Sequence, residues 1–317
     1  MAFTLAEAKE LSQDKLTGWV IDEFRRSPLM EMMIWDDIIK PQGGESFTYA
    51  YNRITTKATA GGRALNTEFV PQHAATTQQY ATAKVFGGSF NIDRAIAAHE
   101  RQVLDLVDFQ LQQKTQAAVA QFNDWFITGD SGVDPLAFDG IDKAVTGTST
   151  ERIPGTLIDL SSAAALDTNW PALLYEIRQT IALMDMAPTL IAVSRQMFAA
   201  FQSVADQSAQ FTMTRDNMGN EVVRYGTASI IEMGDKPGTS DPIIETDASG
   251  QTSIYLMRIG LDGVHAITPD GVTEPKVYLP DMTSPGAVKL GEVEMTAAAV
   301  IKSSRSAAVL RNIQIAA

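Results

Sequence analysis

Between charged positions, Leu5, Leu11, Leu16, Trp19, Val20 and Phe24 recur at near-helical spacing, which predicts an amphipathic helix. Thr4 and Glu7 form a capping-box pattern at its start, and Ser27-Pro28 stops it. Met30, Met32, Met33, Ile34 and Trp35 follow as an apolar anchor that needs burial. The period then changes to two. Phe47, Tyr49 and Tyr51 alternate with Ser46, Thr48 and Ala50, a strand with one apolar face. From Arg53 to Gln79 only Ile54, Leu65, Phe69 and Val70 are large and apolar, among Thr, Ala, Gly and Gln. Gly61-Gly62 is the expected reversal, because Gly tolerates positive φ. Tyr80, Thr82, Lys84 and Phe86 then run back toward Gly87-Gly88. A segment this poor in apolar side chains cannot pack a core of its own, and its alternating flanks favour a long hairpin ordered by another molecule.

From Asp93, which can cap, to Gly129, which can terminate, no Gly or Pro interrupts. Ile96, Val103, Leu104, Val107, Leu111, Ala118, Phe122, Trp125 and Phe126 keep one seam over 93–128. A continuous helix there would be roughly 50 Å long, about the diameter of a compact globule of this size. The pattern therefore predicts an elongated molecule built along a spine. After loops around Gly129-Asp130-Ser131-Gly132 and Phe138-Asp139-Gly140-Ile141-Asp142, an α/β region begins. A helix is expected from Trp170 to Met186 with Pro171 in its first turn, a buried strand at Thr189–Val193, and a helix over Arg195–Ala205 capped by Ser194. Ser229–Met233, Ser253–Ile259, Val293–Ile301 and Ala308–Ile315 read as further strands. Short strands with Gly/Pro turns and few helices make the fold class α+β.

Composition mostly removes functions. The 317 residues include no Cys, which excludes disulfide scaffolds, thiol nucleophiles and Cys-ligated metals. Three His (His73, His99 and His265) leave little for acid–base or metal chemistry. No apolar run reaches about 18 residues, and the N-terminus has no secretory pattern, so the expectation is a soluble chain made in the cytoplasm without a cleaved signal and without membrane contact. A net charge of −13 argues against nucleic-acid readout. Segment by segment, however, 41–92 carries +2 while 1–40 carries −3 and 166–287 carries −8. A basic extended loop on an acidic body suits contact with another copy of the chain.

Catalytic signatures fail. There is no Walker-type phosphate loop, GxGxxG or GxSxG. His99-Glu100 begins like a zincin helix, but Val103 stands where the second His belongs, so His99 is expected on a helix surface or subunit contact. Asp130, Asp134, Asp139 and Asp142 lack EF-hand spacing and are expected in turn and cap duty. Asp36-Asp37 is read as a surface pair. No cofactor, metal site or catalytic residue is expected.

This order of elements resembles the major capsid protein of tailed double-stranded-DNA phages, the Hong Kong 97-type fold, which encapsulins also use. Local phrasing is similar at Trp125-Phe126-Ile127-Thr128-Gly129-Asp130 and Phe138-Asp139-Gly140-Ile141. The resemblance implies an N-terminal arm at 1–40, an E-loop at 41–92, and a P-domain at 93–165 with its spine helix at 93–128. It further implies an A-domain at 166–287 and a C-terminal return to the P-domain at 288–317. By the same resemblance, Arg53, Lys57, Gly61, Gly62, Arg63 and Phe69 of the E-loop, and Trp19 and Phe24 of the arm, are expected to contact neighbouring subunits. Some members cross-link an E-loop Lys to a P-domain Asn with a nearby Glu. Lys57 and Asn312 are formally present, but nothing ties Glu292 or Glu294 to them, and cross-linking is not expected.

The implied function is structural and non-enzymatic: a virion capsid subunit, assembled in the host cytoplasm into pentamers and hexamers around double-stranded DNA that it encloses without reading. Implied partners are copies of itself, a scaffolding protein, a portal and, in some members, a decoration protein. Because the arm begins at once, the resemblance implies a separate scaffold or none. Rival readings are an encapsulin-type nanocompartment shell, a tail or baseplate component, and a metal-dependent hydrolase using Asp130, Asp134 and Asp139.

Overall fold

A computed structural model of the protein describes residues 28–39, 47–97, 100–207, 211–215, 221–269, 276–281 and 284–315. The predicted helix before Pro28, with Trp19 and Phe24, lies outside them, as does His99. Pro28 opens a short helix, α1 (Pro28–Met32), whose Leu29 and the following Met33 are buried. A strand, β1 (Trp35–Ile39), runs parallel to β12 (Val264–Pro269).

The hairpin forms from β2 (Thr48–Thr56) and β3 (Ala75–Thr82), paired from Thr48↔Thr82 to Thr56↔Ala75. Its reversal is not at Gly61-Gly62. The chain turns at Ala64–Thr67, where Asn66 has φ 63° and the Thr67 amide and hydroxyl both donate to the Ala64 carbonyl. Asn tolerates the left-handed conformation almost as Gly does, so either residue type could have been chosen. The return limb β3 ends at Thr82, and a separate strand, β4 (Lys84–Asp93), passes straight through Gly87-Gly88 and pairs antiparallel with β14 (Val288–Ile301). A Cβ on Gly87 would stand 1.9 Å from the Val293 carbonyl oxygen, so this glycine serves close strand approach rather than a turn. Gly87→Ala is expected to lower stability by about 3 kcal/mol; an unchanged denaturation midpoint would disprove this register.

Asp93 caps as anticipated, its Oδ1 accepting from the Ala95 amide at 2.7 Å. The helical segment is not described as one piece, however: α2 (Arg94–Ala97) precedes α3 (Glu100–Thr128), which at 29 residues is the longest described helix. That length is roughly 43 Å. Its end explains the Trp-Phe-Ile-Thr-Gly phrase. The Gly129 amide donates to the Trp125 carbonyl at 3.0 Å and the Gly140 amide to the Gly129 carbonyl at 2.8 Å. A Cβ on Gly129 would meet the Phe138 carbonyl at 2.3 Å, and one on Gly140 the Trp125 carbonyl at 2.5 Å. The returning chain therefore crosses the helix end backbone on backbone, and α4 (Ile141–Val145) starts from that crossing.

Beyond it lie β5 (Glu151–Arg152), β6 (Ile158–Asp159) and α5 (Ala163–Leu183). Helix α5 begins seven residues before the predicted Trp170, because the Ser162 hydroxyl caps the Ala165 amide; Pro171 is therefore interior. Next come β7 (Leu190–Val193), α6 (Arg195–Gln207), β8 (Phe211–Arg215), β9 (Glu221–Tyr225), β10 (Ala228–Glu232) and β11 (Gln251–Met257). After β12, β13 (Lys276–Tyr278) pairs with β14, and β15 (Ala307–Gln314) ends the fold.

One sheet has the order β1-β12-β14-β13, with β4 also on β14; an eight-stranded sheet runs β5-β15-β11-β7-β10-β9-β8, with β6 also on β15. The strands do not separate at residue 287: β12 and β13 join β14, whereas β15 joins the sheet of β7 and β11. That sheet divides two cores. Leu190 and Ala192, Tyr255 and Met257, and Ala307 and Val309 face the core around α3, while Ile191 and Val193, Ile254 and Leu256, and Ala308 and Leu310 face the core under α5 and α6. These strands read as unbroken apolar runs because both faces are covered. Around α3 the core is aromatic: Phe122 lies 5.4–6.3 Å from the rings of Trp35, Phe86, Phe126 and Phe138.

Candidate assembly surfaces

The root of the hairpin belongs to the body. Tyr49 and Tyr51 stack at 5.8 Å and pack on the α3 core. Lys302 Nζ sits 5.7 Å from the centre of the Tyr49 ring, and Arg53 Nη2 donates to the Ile301 carbonyl at 2.5 Å. Burial pushes the Tyr51 phenol up, against the lowering influence of Arg53. Arg53, expected at a neighbour, is therefore engaged within its own chain. Hydroxyl pairs Thr48–Thr82 and Thr55–Thr77 tie the two strands together.

Past Thr56 the limbs leave regular pairing, and 57–74 is exposed throughout. Leu65 is 92% exposed, Val70 81% and Phe69 61%. The Arg63 guanidinium lies 5.4 Å from the Phe69 ring centre and donates to the Thr67 carbonyl at 3.2 Å, so the tip is organised locally. Lys57 is exposed, and Gly61 and Gly62 have open space where a Cβ would stand. Lys57, Gly61, Gly62, Arg63 and Phe69 thus share one projecting tip. Asn312 donates from Nδ2 to the Pro154 carbonyl at 2.9 Å.

A second exposed apolar face was not anticipated. Val85, Val288 and Leu290 are exposed on strands whose alternate residues Phe86, Phe90, Val293 and Met295 are buried, and Tyr278, opposite Glu292, is exposed beside them.

The acidic positions after α3 do turn work. Asp130 Oδ1 accepts from the Gly132 amide, Asp134 Oδ1 from the Leu136 amide, and Asp139 Oδ1 from the Ser131 amide. Lys143 Nζ bridges Asp130 and Asp139 at 2.6 and 2.7 Å. It lowers the Asp130 carboxyl; burial alone would raise Asp139, but the bonds from Lys143 and Ser131 outweigh it. Asp142 accepts instead from Arg311 and from the Tyr255 hydroxyl, joining α4 to β15 and β11. Among the described residues, no group of three or more His, Asp or Glu could hold a metal. Asp36 is not a surface charge: its side chain is 12% exposed and its Oδ2 lies 4.0 Å from His265 Nε2. A shallow cleft of about 480 Å³ beside the start of α6 is lined by Ser194, Arg195, Asp235, Asp241 and Glu245. Arg195 there is already paired with Glu232 and Asp235.

No protein-family profile matches the chain, and no curated protein matches it by sequence. Solved structures do. The holo-SrpI encapsulin complex from Synechococcus elongatus is similar over 99% of this chain and 97% of its own, with TM-score 0.60 and 11% identity. The capsid of the native GTA particle matches over 90% of this chain and 91% of its own, with TM-score 0.57 and 10% identity. A structure from Mycobacterium phage Bobi covers 97% of both chains, with TM-score 0.56 and 9% identity. At such identities the likeness is one of fold: a mixed α+β, capsid-like fold, shared with the phage capsid proteins that the sequence resembles.

Proposed function

We propose that this chain is the major capsid protein of a tailed phage, a structural rather than catalytic subunit of a self-assembling icosahedral shell. The observation that carries the reading is the exposed tip at 57–74. The chain buries two cores of its own, one of which holds the hairpin root, yet Leu65, Phe69 and Val70 remain in water. Apolar side chains held this far from their own core gain burial only against another molecule. The capsid-like fold, shared with shell-forming proteins, makes a second copy the natural occupant.

On this reading 1–40 is the arm, 41–92 the E-loop, 93–165 the P-domain completed from 288–317, and 166–287 the A-domain around the capsomer axis. Strand β14 supports the return to the P-domain, since it lies against β4; β15 instead stitches the two regions together. Lys57, Arg63 and Phe69 contact the neighbouring subunit, with Trp19 and Phe24 of the arm on a second contact. The partners are further copies, a portal and a scaffolding protein, and the acidic body encloses DNA without adhering to it.

Electron microscopy of the purified protein tests the proposal. Closed shells with pentameric and hexameric clusters are expected, and particles taken from their native source should absorb strongly at 260 nm. A species of only a few subunits at high concentration would refute shell formation. Shells that hold protein cargo and no DNA would refute the phage assignment.

A further inference from the structure

His265 is fully buried in β12, and neither ring nitrogen has a hydrogen-bond partner of sound geometry. A buried imidazole with no partner is costly and usually has a reason. Its surroundings are mixed in charge. From β1, Asp36 Oδ2 stands 4.0 Å from Nε2, too far for a hydrogen bond. Lys302, just beyond β14, repels a proton on the ring, while Asp262, in the turn before β12, attracts one. From the hairpin root, Arg53 is nearby but committed to the Ile301 carbonyl, and Tyr49 lies against Lys302. Burial, reinforced by Lys302, depresses the imidazole to about 4, and the Gly263 backbone and Asp262 oppose this only weakly.

β1, which brings Asp36 to this ring, is an edge strand; among the described residues it pairs only with β12, and its register is interrupted between Asp36 and Ile39. Trp35 points to the other side, against Phe122.

We propose that the β1–β12 seam is an acid-sensitive latch, in which protonation of His265 requires β1 to lift and so couples mild acidity to loosening of this edge of the subunit. The sign follows from linkage. In the closed state the ring titrates near 4, and once exposed it returns to the ordinary 6.5. The open state therefore binds the proton better. The seam is fully closed above about pH 6.5, loses stability progressively as the pH falls toward 4, and changes no further below that. Between pH 7 and pH 5 the opening constant should rise about twentyfold. The inference does not depend on the shell reading, since the seam lies within one chain.

Hydrogen exchange of the purified full-length protein, followed by mass spectrometry and corrected for the intrinsic pH dependence of exchange, tests it. Peptides spanning 28–39 and 264–269 should show the twentyfold rise, while those in β7 and β11 should not. His265→Leu should abolish the response, with His265→Gln as the alternative neutral variant if Leu disturbs folding. Asp36→Asn, which removes the nearest carboxylate, should leave the response at least as large. A flat wild-type profile, or an undiminished response in both His265 variants, would overturn the proposal. So would a response lost in Asp36→Asn, because opening would then depend on the Asp36 carboxylate rather than on the exclusion of a charged imidazole.

Discussion

A chain in which residues 57–74 are replaced by a short Gly-containing turn is expected to fold, remain soluble and assemble no shells. The boundaries follow from the structure. Pairing of β2 with β3 runs to Thr56↔Ala75, and the root contacts of Tyr49, Tyr51 and Arg53 lie before the excision. No buried side chain is removed, so the melting temperature of the unassembled subunit should hardly change. What is lost is Leu65, Phe69 and Val70, which on burial against a neighbour would contribute roughly 5 kcal/mol per contact. That corresponds to more than a thousandfold in association at each joint, multiplied around every capsomer. Sedimentation velocity would show only slow species. Normal shells from this variant would remove the tip from the assembly mechanism and, with it, the main support for the E-loop reading.

The second large effect is expected inside the subunit. Phe122→Ala opens a hole where Trp35, Phe86, Phe126 and Phe138 converge on α3. Large-to-small changes at such sites cost about 4 kcal/mol, a large share of the 5–15 kcal/mol typical of a native protein. In a chain this long the melting temperature should fall by roughly 6 °C. Phe122→Leu should lose much less, because it keeps most of the volume. A loss below about 1 kcal/mol for Phe122→Ala in equilibrium unfolding would mean that this cluster is not the organising core. The two variants separate folding from assembly: the first should spare stability, and the second should lower it with the hairpin intact.

Several elements were legible because their signal is local. Alternation marked β2 and the later part of β14, the unbroken apolar run marked β7, and Ser194 announced α6, whose Met197 amide it caps. The long helical seam was also legible from its start, since Asp93, the last residue of β4, caps the Ala95 amide as its position suggested. The misses share a cause. Gly61-Gly62 was read as the reversal and Pro171 as a helix's first turn, and each permits more than one backbone outcome. Gly87 is small because Val293 approaches it, and Pro171 sits inside a helix that Ser162 had already started. Val293 is far from Gly87 in sequence, whereas Ser162 was a local cap that was passed over.

The candidate surfaces divide the same way. That the hairpin could not bury itself followed from its composition alone, since four large apolar side chains between Arg53 and Gln79 cannot offset the entropy of ordering them. Which residues project and which anchor did not: Arg53 and Arg63 look equivalent in the sequence, yet the first reaches the Ile301 carbonyl and the second stacks over Phe69 at the tip. Likewise Asp36 read as a surface charge and His265 only as one of three histidines, until β1 and β12 were brought side by side. The sequence by itself determined the composition and, through neighbours along the chain, the periodicity and type of most elements. Tertiary structure alone decided which strand passes over which glycine, which arginine is spent internally and which imidazole is denied water, because those energies arise between residues far apart in sequence.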